Sequence, residues 1–380
     1  MRRRKGDTHM AADFSLSKML NQASVDGDLR GEPRGSAGFY DLLRPLIFRL
    51  SPETAHHATL ALLRAGGAVA PARWMLARAF TPPQADRAVQ AFGLSFANPV
   101  GLAAGYDKDG LGWRGLAPLG FGHIEVGTVT PRPQSGNPGP RVFRLVEDRA
   151  VINRMGFPNR GAAFVAQRLS GKRPAGLILG VNIGKNLTTS LEHAGEDYLS
   201  LVKIFAPLAD YLAINVSSPN TPGLRTLQTR HALEALLRPL DAERWVQSQR
   251  LGRHVPLLVK LAPDLTSDEL DGALDAILAA GIDGVITSNT TLSRKGLNSA
   301  LASESGGMSG APARHRNTQI VRDVVHRTAG RLTVIASGGI MGPNDTQEKL
   351  DAGATLVQLY TGLIYEGPGL VKKIVASCER

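Results

Sequence analysis

The sequence predicts an α/β protein, a (β/α)8 barrel of the TIM type preceded by a small helical unit. Three observations support this fold class. From about residue 85 onward, eight short apolar runs rich in β-branched residues alternate with segments of helical periodicity. The runs are apolar almost throughout, as in strands that are buried on both faces, and no hairpin signal recurs between them. The 380 residues are enough for a barrel of about 250 residues with an addition.

Residues 1–38 are predicted to be a poorly ordered leader. They contain scattered Gly, Asp, Arg and Pro and no long periodic apolar pattern. The Arg2-Arg3-Arg4-Lys5 start could suggest a transit peptide, but such peptides are poor in acids, and Asp7, Asp13, Asp26 and Asp28 argue against one. The apolar core of a signal peptide is missing as well.

Residues 39–84 are predicted to form a separate helical unit. Apolar residues recur at helical spacing from Phe39 to Leu50, and Ser51-Pro52-Glu53 then reads as an N-cap followed by proline at the first helical position. A second helix would end near Gly66-Gly67 and a third near Phe80. The basic residues between 39 and 80 are all arginine. Composition alone leaves two interpretations open, a cap packed on the barrel or helices lying on an anionic bilayer surface.

Residues 85–380 are predicted to form the barrel. A capping box at Thr266-Ser267-Asp268-Glu269 marks the helix after the fifth strand, and Gly281 is a plausible end for it. The eight predicted strands are residues 99–103, 123–129, 177–183, 211–216, 256–261, 283–288, 332–336 and 355–360.

Composition and charge exclude several classes of protein. The only cysteine, Cys378, rules out a disulfide within the chain and a Cys-rich zinc or iron–sulfur site, and it argues against a cysteine nucleophile in the core. No apolar run reaches the length of about 18 residues that a membrane-spanning helix needs. The formal charge of +11 suggests an anionic partner, but its diffuse distribution is more typical of a soluble surface than of a nucleic-acid site.

The segments that follow the predicted strands share one chemical character. In such barrels the active site lies at the carboxyl ends of the strands. Here each strand end delivers amide, hydroxyl or ammonium groups, or glycines, and few carboxylates or histidines. Metal-ligand spacings are absent, which disfavours hydrolysis by a metal-bound water or by paired carboxylates.

The same rim suggests a flat, polar, partly anionic ligand. Gly310 and the glycines after the seventh and eighth strands lie where barrels bind phosphate. Phosphate together with a planar ring system indicates flavin mononucleotide (FMN). Lys260, in mid-barrel, could stabilise the reduced, anionic flavin, although a lone lysine on a strand is more often part of a salt bridge.

Six stretches carry a resemblance to a known family, namely residues 98–109, 124–134, 152–157, 181–185, 214–225 and 358–362. In them, and in their order, the sequence resembles the class 2 dihydroorotate dehydrogenases, the membrane-associated type that uses quinones. The resemblance covers residues 92 to 371, and residues 39–80 resemble the family's N-terminal segment, whereas residues 1–38 have no counterpart in the usual bacterial pattern.

The resemblance implies the oxidation of (S)-dihydroorotate to orotate in de novo pyrimidine biosynthesis. One FMN per chain would accept the hydride, and a membrane quinone would reoxidise it. The implied partners are dihydroorotate, the quinone and a bilayer surface met by residues 39–80, without nucleic acid. The chain would act as a monomer rather than an obligate oligomer, bound peripherally to the cytoplasmic side of the cytoplasmic membrane, as in bacteria.

The resemblance also assigns roles to residues. Ser218 would be the catalytic base, with Thr221 and Phe157 beside it. His56, Arg144 and Tyr360 would lie at the inner end of a quinone tunnel. The substrate would be held by Lys108, Asn153, Arg154, Met155, Gly156, Phe157, Asn215, Asn220, Asn289 and Thr290. The cofactor would be held by Ala104, Gly105, Tyr106, Asp107, Lys108, Thr128, Asn182, Asn215, Lys260, Ser288, Gly310, Gly339, Tyr360 and Thr361.

Three alternatives stay open beside this interpretation. Class 1 dihydroorotate dehydrogenases resemble the same barrel but use a cysteine base, as do dihydrouridine synthases, which act on RNA and carry a basic extension. The position of Cys378, near the end of the chain, argues against both. A non-catalytic flavin-fold or RNA-binding protein is the third alternative, and the intact set of Ser218, Lys108 and asparagines argues against it.

Overall fold

The computed structural model describes residues 39–82 and 87–378. The predicted leader, residues 1–38, lies outside the described residues, and so does the predicted domain boundary between residues 84 and 85. The described part has a helical segment at its start and a closed barrel surrounded by helices. The predicted α/β fold class, a (β/α)8 barrel with a preceding helical region, is therefore confirmed.

The helical segment consists of three helices. Ser51 caps the second one as its sequence predicts, because its Oγ accepts a hydrogen bond from the Thr54 N–H at 3.2 Å and Pro52 is the first helical residue. The three are α1 (Phe39–Ile47), α2 (Pro52–Ala68) and α3 (Ala70–Phe80).

Helix α2 packs on the barrel through a backbone contact. A Cβ atom added at Gly67 would lie 2.6 Å from the backbone nitrogen of Gly115, and one added at Gly115 would lie 1.9 Å from the carbonyl oxygen of Leu63. Only glycine allows two backbones to approach so closely. Arg141 and Glu53 add an ion pair of 3.0 Å across the same interface. The helical segment is therefore docked against the barrel at a fixed distance.

Eight parallel strands close the barrel. All eight predicted strands are confirmed, and each predicted end lies within one residue of the observed one. Around the barrel they are β3 (Val100–Leu102), β4 (His123–Val129), β7 (Ile178–Ile183), β8 (Tyr211–Asn215), β9 (Leu257–Leu261), β10 (Gly284–Thr287), β12 (Thr333–Ser337) and β13 (Leu356–Leu359).

Helices alternate with the strands and cover the outside of the barrel. The capping box of α8 (Ser267–Ala279) forms as predicted, since Thr266 and Glu269 bond each other's backbone N–H groups. The helices are α4 (Trp113–Leu116), α5 (Ala162–Leu169), α6 (Ala194–Phe205), α7 (Arg230–Leu251), α8 (Ser267–Ala279), α9 (Arg314–Arg327), α10 (Pro343–Asp351), α11 (Thr361–Glu366) and α12 (Leu370–Ser377).

A hairpin that the sequence pattern does not reveal closes the bottom of the barrel. Strands β1 (Val89–Ala91) and β2 (Leu94–Phe96) pair antiparallel. Phe92 and Gly93 join them with φ angles of 55° and 75°, and a phenylalanine at a positive φ is an unusual turn residue. Phe96 is fully buried in a cluster with Leu258, near the start of β9. The barrel is thus sealed at its amino-terminal end and open at the other.

A second antiparallel addition lies at the open end. Strand β6 (Ala150–Asn153) pairs with β5 (Val142–Leu145) on one side and with β11 (Gly307–Gly310) on the other. The absence of a recurring hairpin signal correctly predicted the parallel barrel, but it gave no sign of this additional sheet. About 150 residues separate β6 from β11, so local periodicity cannot reveal that pairing. This three-stranded sheet stands over the rim of the barrel.

Candidate active site

A cavity with an empty volume of about 1020 Å³ opens at the carboxyl ends of the barrel strands. This is where barrels carry their active sites. The predicted site residues that line it are Ala104, Gly105, Lys108, Thr128, Asn153, Met155, Gly156, Phe157, Asn215, Ser218, Asn220, Lys260, Ser288, Asn289, Thr290, Gly310, Gly339, Tyr360 and Thr361.

The floor of this cavity is a hydrogen-bonded set of polar side chains. Asn215 Nδ2 donates to Thr128 Oγ1 at 2.9 Å and to Asn182 Oδ1 at 3.1 Å. Thr128 also donates to Asn182 Oδ1 at 2.5 Å. Asn182 lies one layer beneath the cavity rather than on its surface. Its position fixes the side chains of Thr128 and Asn215, which do line the cavity.

Lys260 contributes a buried cation to the floor. Its side chain lines the cavity, and its Nζ lies 3.9 Å from Oε1 of the fully buried Glu125. Burial lowers the pKa of Lys260, and the Glu125 charge opposes that shift. Both interpretations of Lys260 therefore find support, since the residue faces the cavity and has a carboxylate partner.

One end of the cavity is built from glycines. Gly310 and Gly339 have φ angles of 105° and 75°. Cβ atoms there would come within 2.4 Å of the Arg149 carbonyl oxygen and 2.3 Å of Arg314 Cα. Thr361 begins helix α11, whose first N–H groups have no partner within the helix. Backbone N–H groups at the start of a helix suit the oxygens of a phosphate.

The loop after β8 carries Ser218, which also lines the cavity. The Ser218 side chain is buried, and its Oγ accepts a hydrogen bond from the Asn220 N–H at 3.2 Å. Asn220 Nδ2 donates to Asn153 Oδ1 at 3.3 Å, so this loop contacts the three-stranded sheet. Thr221 is buried nearby but does not line the cavity.

A cluster of amides surrounds this loop. Asn289 Nδ2 donates to Ser217 Oγ at 3.0 Å, and the Asn289 side-chain oxygen accepts from the Thr290 N–H at 2.8 Å. Ser217 Oγ in turn donates to Asn215 Oδ1 at 3.1 Å. Amides held in this way present fixed donors and acceptors, as recognition of a pyrimidine-like ring requires.

Three predicted site residues point away from this cavity. Arg154 pairs with Glu304 at 2.6 Å and stacks over the Phe143 ring, 4.5 Å from its centroid. Asp107 is fully buried and accepts the backbone N–H groups of Leu111 and Gly112. Tyr106 lies outside the cavity and packs edge-on against the ring of His56. The side chains of Arg154 and Asp107 thus bind neighbouring loops and do not line the cavity.

Lys108 lies where this cavity meets a second one. Its Nζ donates to the Gly105 carbonyl oxygen at 2.6 Å, and its side chain is half-buried. Burial, the largest cause, lowers the pKa of Lys108 to about 8, and the nearby Arg141 charge acts in the same direction. An anionic ligand beside Lys108 would stabilise its charged ammonium form and raise its pKa again.

The second cavity lies between the helical segment and the barrel. Its empty volume is about 1590 Å³ and its lining is mostly apolar. Helices α1, α2 and α3 supply one side, and β5, β6 and α11 supply the other. Four residues line both cavities, namely Lys108, Asn153, Met155 and Tyr360.

The three residues predicted for a quinone tunnel all line this second cavity. His56 packs edge-on against Tyr106, with ring centroids 5.2 Å apart. Burial and the Lys108 charge lower the pKa of His56 to about 3, so its ring is neutral at physiological pH. Arg144 donates to the Phe48 carbonyl oxygen at 3.1 Å, and its guanidinium group stacks over the Phe48 ring. Tyr360 is shared with the first cavity.

Some residues of the first cavity were missed by the sequence prediction. Ser337 and Gln358 lie at strand ends that the prediction had identified, so their position was a usable signal. Asn317 lies on helix α9, where it donates to the Ser337 carbonyl oxygen at 3.0 Å and accepts from Ser288 Oγ at 3.0 Å. No periodicity marks it. Met308 and Ser309 come from β11, whose pairing is not visible in the sequence.

Two absences concern the described residues alone. Between residues 39 and 378, apart from 83–86, no group of three or more His, Cys, Asp or Glu side chains could hold a metal ion. None of the helices in the same ranges combines the length and the apolarity needed to cross a bilayer.

Comparison with known proteins identifies relatives over most of the chain. The family model of dihydroorotate dehydrogenase matches residues 87–380. Dihydroorotate dehydrogenase (quinone) of Stutzerimonas stutzeri (strain A1501) is 49% identical over 337 residues, which are 88% of this chain and 96% of that protein. The protein of the same name from Pseudomonas aeruginosa (strain LESB58) is 48% identical over 338 residues, 88% of this chain and 97% of that one.

A solved structure agrees with these matches. The crystal structure of DHODH in complex with ferulenol from Eimeria tenella superposes with a TM-score of 0.77 at 37% sequence identity. The match covers 87% of this chain and 93% of that chain. The ligand-free DHODH structure from the same organism gives a TM-score of 0.78 at 38% identity, covering 86% and 94% of the two chains.

Proposed function

This chain belongs to the dihydroorotate dehydrogenase family, and from that premise we propose that it oxidises (S)-dihydroorotate to orotate in pyrimidine biosynthesis and passes the electrons to a quinone. The observation that supports this most strongly is the wall shared by the two cavities. A polar ligand in the first cavity and an apolar one in the second would meet at Lys108, Asn153, Met155 and Tyr360. Rival flavin barrels with a cysteine base are disfavoured, because Cys378 follows helix α12, away from both cavities.

The cofactor in this proposal is FMN, one per chain. The fit rests on the glycine end, which suits a phosphate, on the Lys260 cation, and on Gln358 Oε1, a buried acceptor with no hydrogen-bond partner among the described residues. When bound, FMN supplies the acceptor for the hydride that leaves C6 of the substrate. The residues that would hold it are Ala104, Gly105, Lys108, Thr128, Asn215, Lys260, Ser288, Gly310, Gly339, Tyr360 and Thr361.

The asparagine cluster is proposed to hold the substrate ring. Asn153, Asn215, Asn220 and Asn289 line one part of the cavity together with Thr290. Their amides can match the alternating C=O and N–H groups of a pyrimidine, and the Lys108 ammonium can balance the substrate carboxylate. The loop of Met155, Gly156 and Phe157 would close over the same ligand. Recognition thus requires no movement of Arg154, whose charge is already paired.

Ser218 is proposed to take the proton from C5 of the substrate. Its Oγ faces the cavity and is shielded from bulk water. A hydroxyl is a weak base at its ordinary pKa, so it needs help when it accepts a proton. The Asn220 N–H that it already bonds can stabilise negative charge on Oγ. Thr221 and Phe157, buried in the same region, keep that oxygen away from solvent.

The second cavity is proposed to admit the quinone. Its apolar lining suits an isoprenoid-bearing ring, and the polar groups of His56, Arg144 and Tyr360 stand along its wall. Because His56 is neutral, it can donate and accept one hydrogen bond each without the cost of a buried charge. Arg144 remains a cation that can orient a carbonyl oxygen.

The helical segment is proposed to lie on the cytoplasmic surface of the cytoplasmic membrane. Leu42, Leu62, Trp74 and Met75 are between 62% and 74% exposed. Large apolar side chains concentrated on short helices with arginines are typical of interfacial attachment. The proposal keeps the monomer expected from the sequence, since residues of one chain line both cavities.

Replacing Trp74 by Gln is expected to weaken binding to anionic liposomes by about tenfold. An indole that enters the bilayer surface contributes about 1–3 kcal/mol of apolar transfer energy, which glutamine does not supply. Sedimentation with vesicles of phosphatidylglycerol and phosphatidylethanolamine measures the effect. Trp245→Gln is the matched control, since Trp245 is exposed to 62% on helix α7 and Trp74 to 65%. Equal losses for the two variants would contradict attachment through the helical segment.

An anaerobic titration tests the whole proposal. Purified protein is mixed with dihydroorotate, and the flavin absorbance is followed before a quinone, fumarate or NAD is added. We expect bleaching by dihydroorotate and recovery with the quinone alone. A flavin that does not bleach would exclude dihydroorotate as the substrate. Recovery with fumarate or NAD but not with quinone would exclude the quinone-linked activity.

A further inference from the structure

A buried carboxylate beneath the first cavity has no part in the roles proposed above. Glu125 is the third residue of β4, and its exposure is 0%. Three neutral donors from three other strands bind it. Asn182 Nδ2 lies 2.8 Å from Oε1, and the Tyr211 hydroxyl and Gln358 Nε2 lie 3.0 and 2.9 Å from Oε2. Burying an unpartnered charge is very costly, so the centre of the barrel is organised around this carboxylate.

The fourth neighbour of Glu125 is the Lys260 ammonium group. The distance of 3.9 Å from Nζ to Oε1 is too long for a hydrogen bond, but the Coulomb attraction is strong because both groups are buried. Two further ionisable groups pack at this level. Burial raises the pKa of Tyr211 far above its usual value and lowers that of His123 to about 3, so both are neutral. Glu125 is therefore the charge that balances Lys260.

The carboxylate also dictates the direction of the amides around it. A carboxylate only accepts hydrogen bonds, so Asn182 must turn Nδ2 toward Glu125. Asn182 Oδ1 then accepts from Thr128 and Asn215. Gln358 likewise turns Nε2 toward Glu125, which leaves its unpartnered Oε1 as the acceptor available to a ligand.

This order extends to the substrate side of the cavity. Because Asn215 Nδ2 is used by Asn182 and Thr128, its Oδ1 is left to accept from Ser217 Oγ at 3.1 Å and from Asn289 at 3.4 Å. Each amide is thus held in one of its two orientations by the one before it. The series begins at Glu125, since no other member is restricted to accepting.

We propose that Glu125 is a positioning residue for electron transfer, whose charge pairs with the Lys260 ammonium group and sets the donors and acceptors that the cavity floor presents to the cofactor. This inference rests on the proposed function, because FMN is the ligand that would meet the floor. A glutamine in its place would keep the shape but carry no charge, and it could donate as well as accept. Both effects of the carboxylate would then be lost together.

Glu125→Gln tests the proposal through FMN itself. Binding of FMN to the deflavinated protein is measured by flavin fluorescence, and the reduction potential of the holoenzyme is measured across a range of pH. We expect FMN affinity to fall by about tenfold or more, the scale of one hydrogen bond to a charged group. We also expect the plot of reduction potential against pH to show one additional decrease as pH rises. The reason is that Lys260 without its counter-charge loses its proton at lower pH.

Tyr211→Phe is the matched control. It removes one neutral donor from the same carboxylate and leaves the charge in place, so the additional pH step should be absent. A Glu125→Gln variant with parental affinity and a parental pH profile overturns the inference, and so does the same step in Tyr211→Phe. A parent protein that binds no FMN overturns the proposed function instead, and the two failures are thereby distinguished.

The double variant Glu125→Gln/Lys260→Met covers the case in which the single variant does not fold. Charge and counter-charge then leave together, so we expect the double variant to fold and to bind FMN only slightly more weakly than Lys260→Met alone, because the effect of the carboxylate on the amides is the only one left to lose. A double variant that also fails to fold overturns the inference. An effect of Glu125→Gln that keeps its full size in the Lys260→Met background overturns it as well, because the carboxylate would not be acting through Lys260.

Discussion

Ser218→Ala is expected to slow the bleaching of bound flavin by dihydroorotate by about 10²- to 10⁴-fold, the usual contribution of a positioned proton acceptor. FMN should remain bound, because the glycine end and Lys260 are untouched. The loss should appear in the rate at saturating dihydroorotate and much less in the concentration needed for saturation. Stopped-flow absorbance under anaerobic conditions separates the two quantities. Parental bleaching kinetics in the alanine variant would contradict the role of Ser218.

Two further variants show whether the hydroxyl acts as a base. Ser217 is the neighbouring serine, but it is fully buried and bonded to Asn215 and Asn289 instead of lining the cavity. Ser217→Ala should therefore weaken dihydroorotate binding more than it slows bleaching. Ser218→Cys should retain part of the rate and reach it at lower pH, since a thiol has a pKa near 8.5. A cysteine variant with the pH profile of the parent would argue against proton transfer to this side chain.

Thr59→Trp is expected to lower quinone turnover by about tenfold or more and to leave bleaching by dihydroorotate unchanged. Thr59 is half-buried on helix α2 and lines the second cavity. An indole there would occupy space that an apolar ligand needs. The ligand would then bury less apolar surface and bind more weakly. Steady-state assays with a short-chain quinone, run beside the anaerobic half-reaction, measure both effects in one preparation.

Ala58→Trp provides the control for that result. Ala58 precedes Thr59 on the same helix, but it is exposed and belongs to neither cavity. The same bulk should therefore leave quinone turnover within about twofold of the parent, as surface substitutions are usually mild. If both tryptophans lower turnover equally, the second cavity is not the route of the quinone. If Thr59→Trp also slows the half-reaction, the two cavities are not functionally separate.

The barrel was predictable from the sequence because its strands are short, apolar and separated by helices of regular period. Each such strand is recognisable from its own residues, as the segment at His123–Val129 illustrates. Strands β1 and β2 have three residues each, and β11 pairs with a strand about 150 residues earlier. Such elements owe their existence to tertiary contacts, so local patterning does not reveal them.

The candidate site was likewise predictable where local sequence decides a residue's position and unpredictable where tertiary contacts decide it. Residues just past strand ends, such as Ser288 and Asn289, could be placed on the rim because topology alone puts them there. The direction of a loop side chain could not be inferred, and Arg154 illustrates this, since its guanidinium turns to Glu304 and Phe143. Asn317 was also out of reach, because a helix residue enters the cavity only once the helix is packed.

The glycine contact between helix α2 and the barrel has a consequence for selectivity among inhibitors. Gly67 and Gly115 allow two backbones to touch, so the spacing between helix α2 and the barrel at this contact is set by main chain and not by the side chains that line the apolar cavity. Side chains such as Leu62 and Leu76 can therefore be exchanged without moving the frame. The fit of a compound in this cavity should therefore depend on which side chains line it, whereas an orotate-like compound would meet amides whose directions are fixed by their hydrogen bonds to one another.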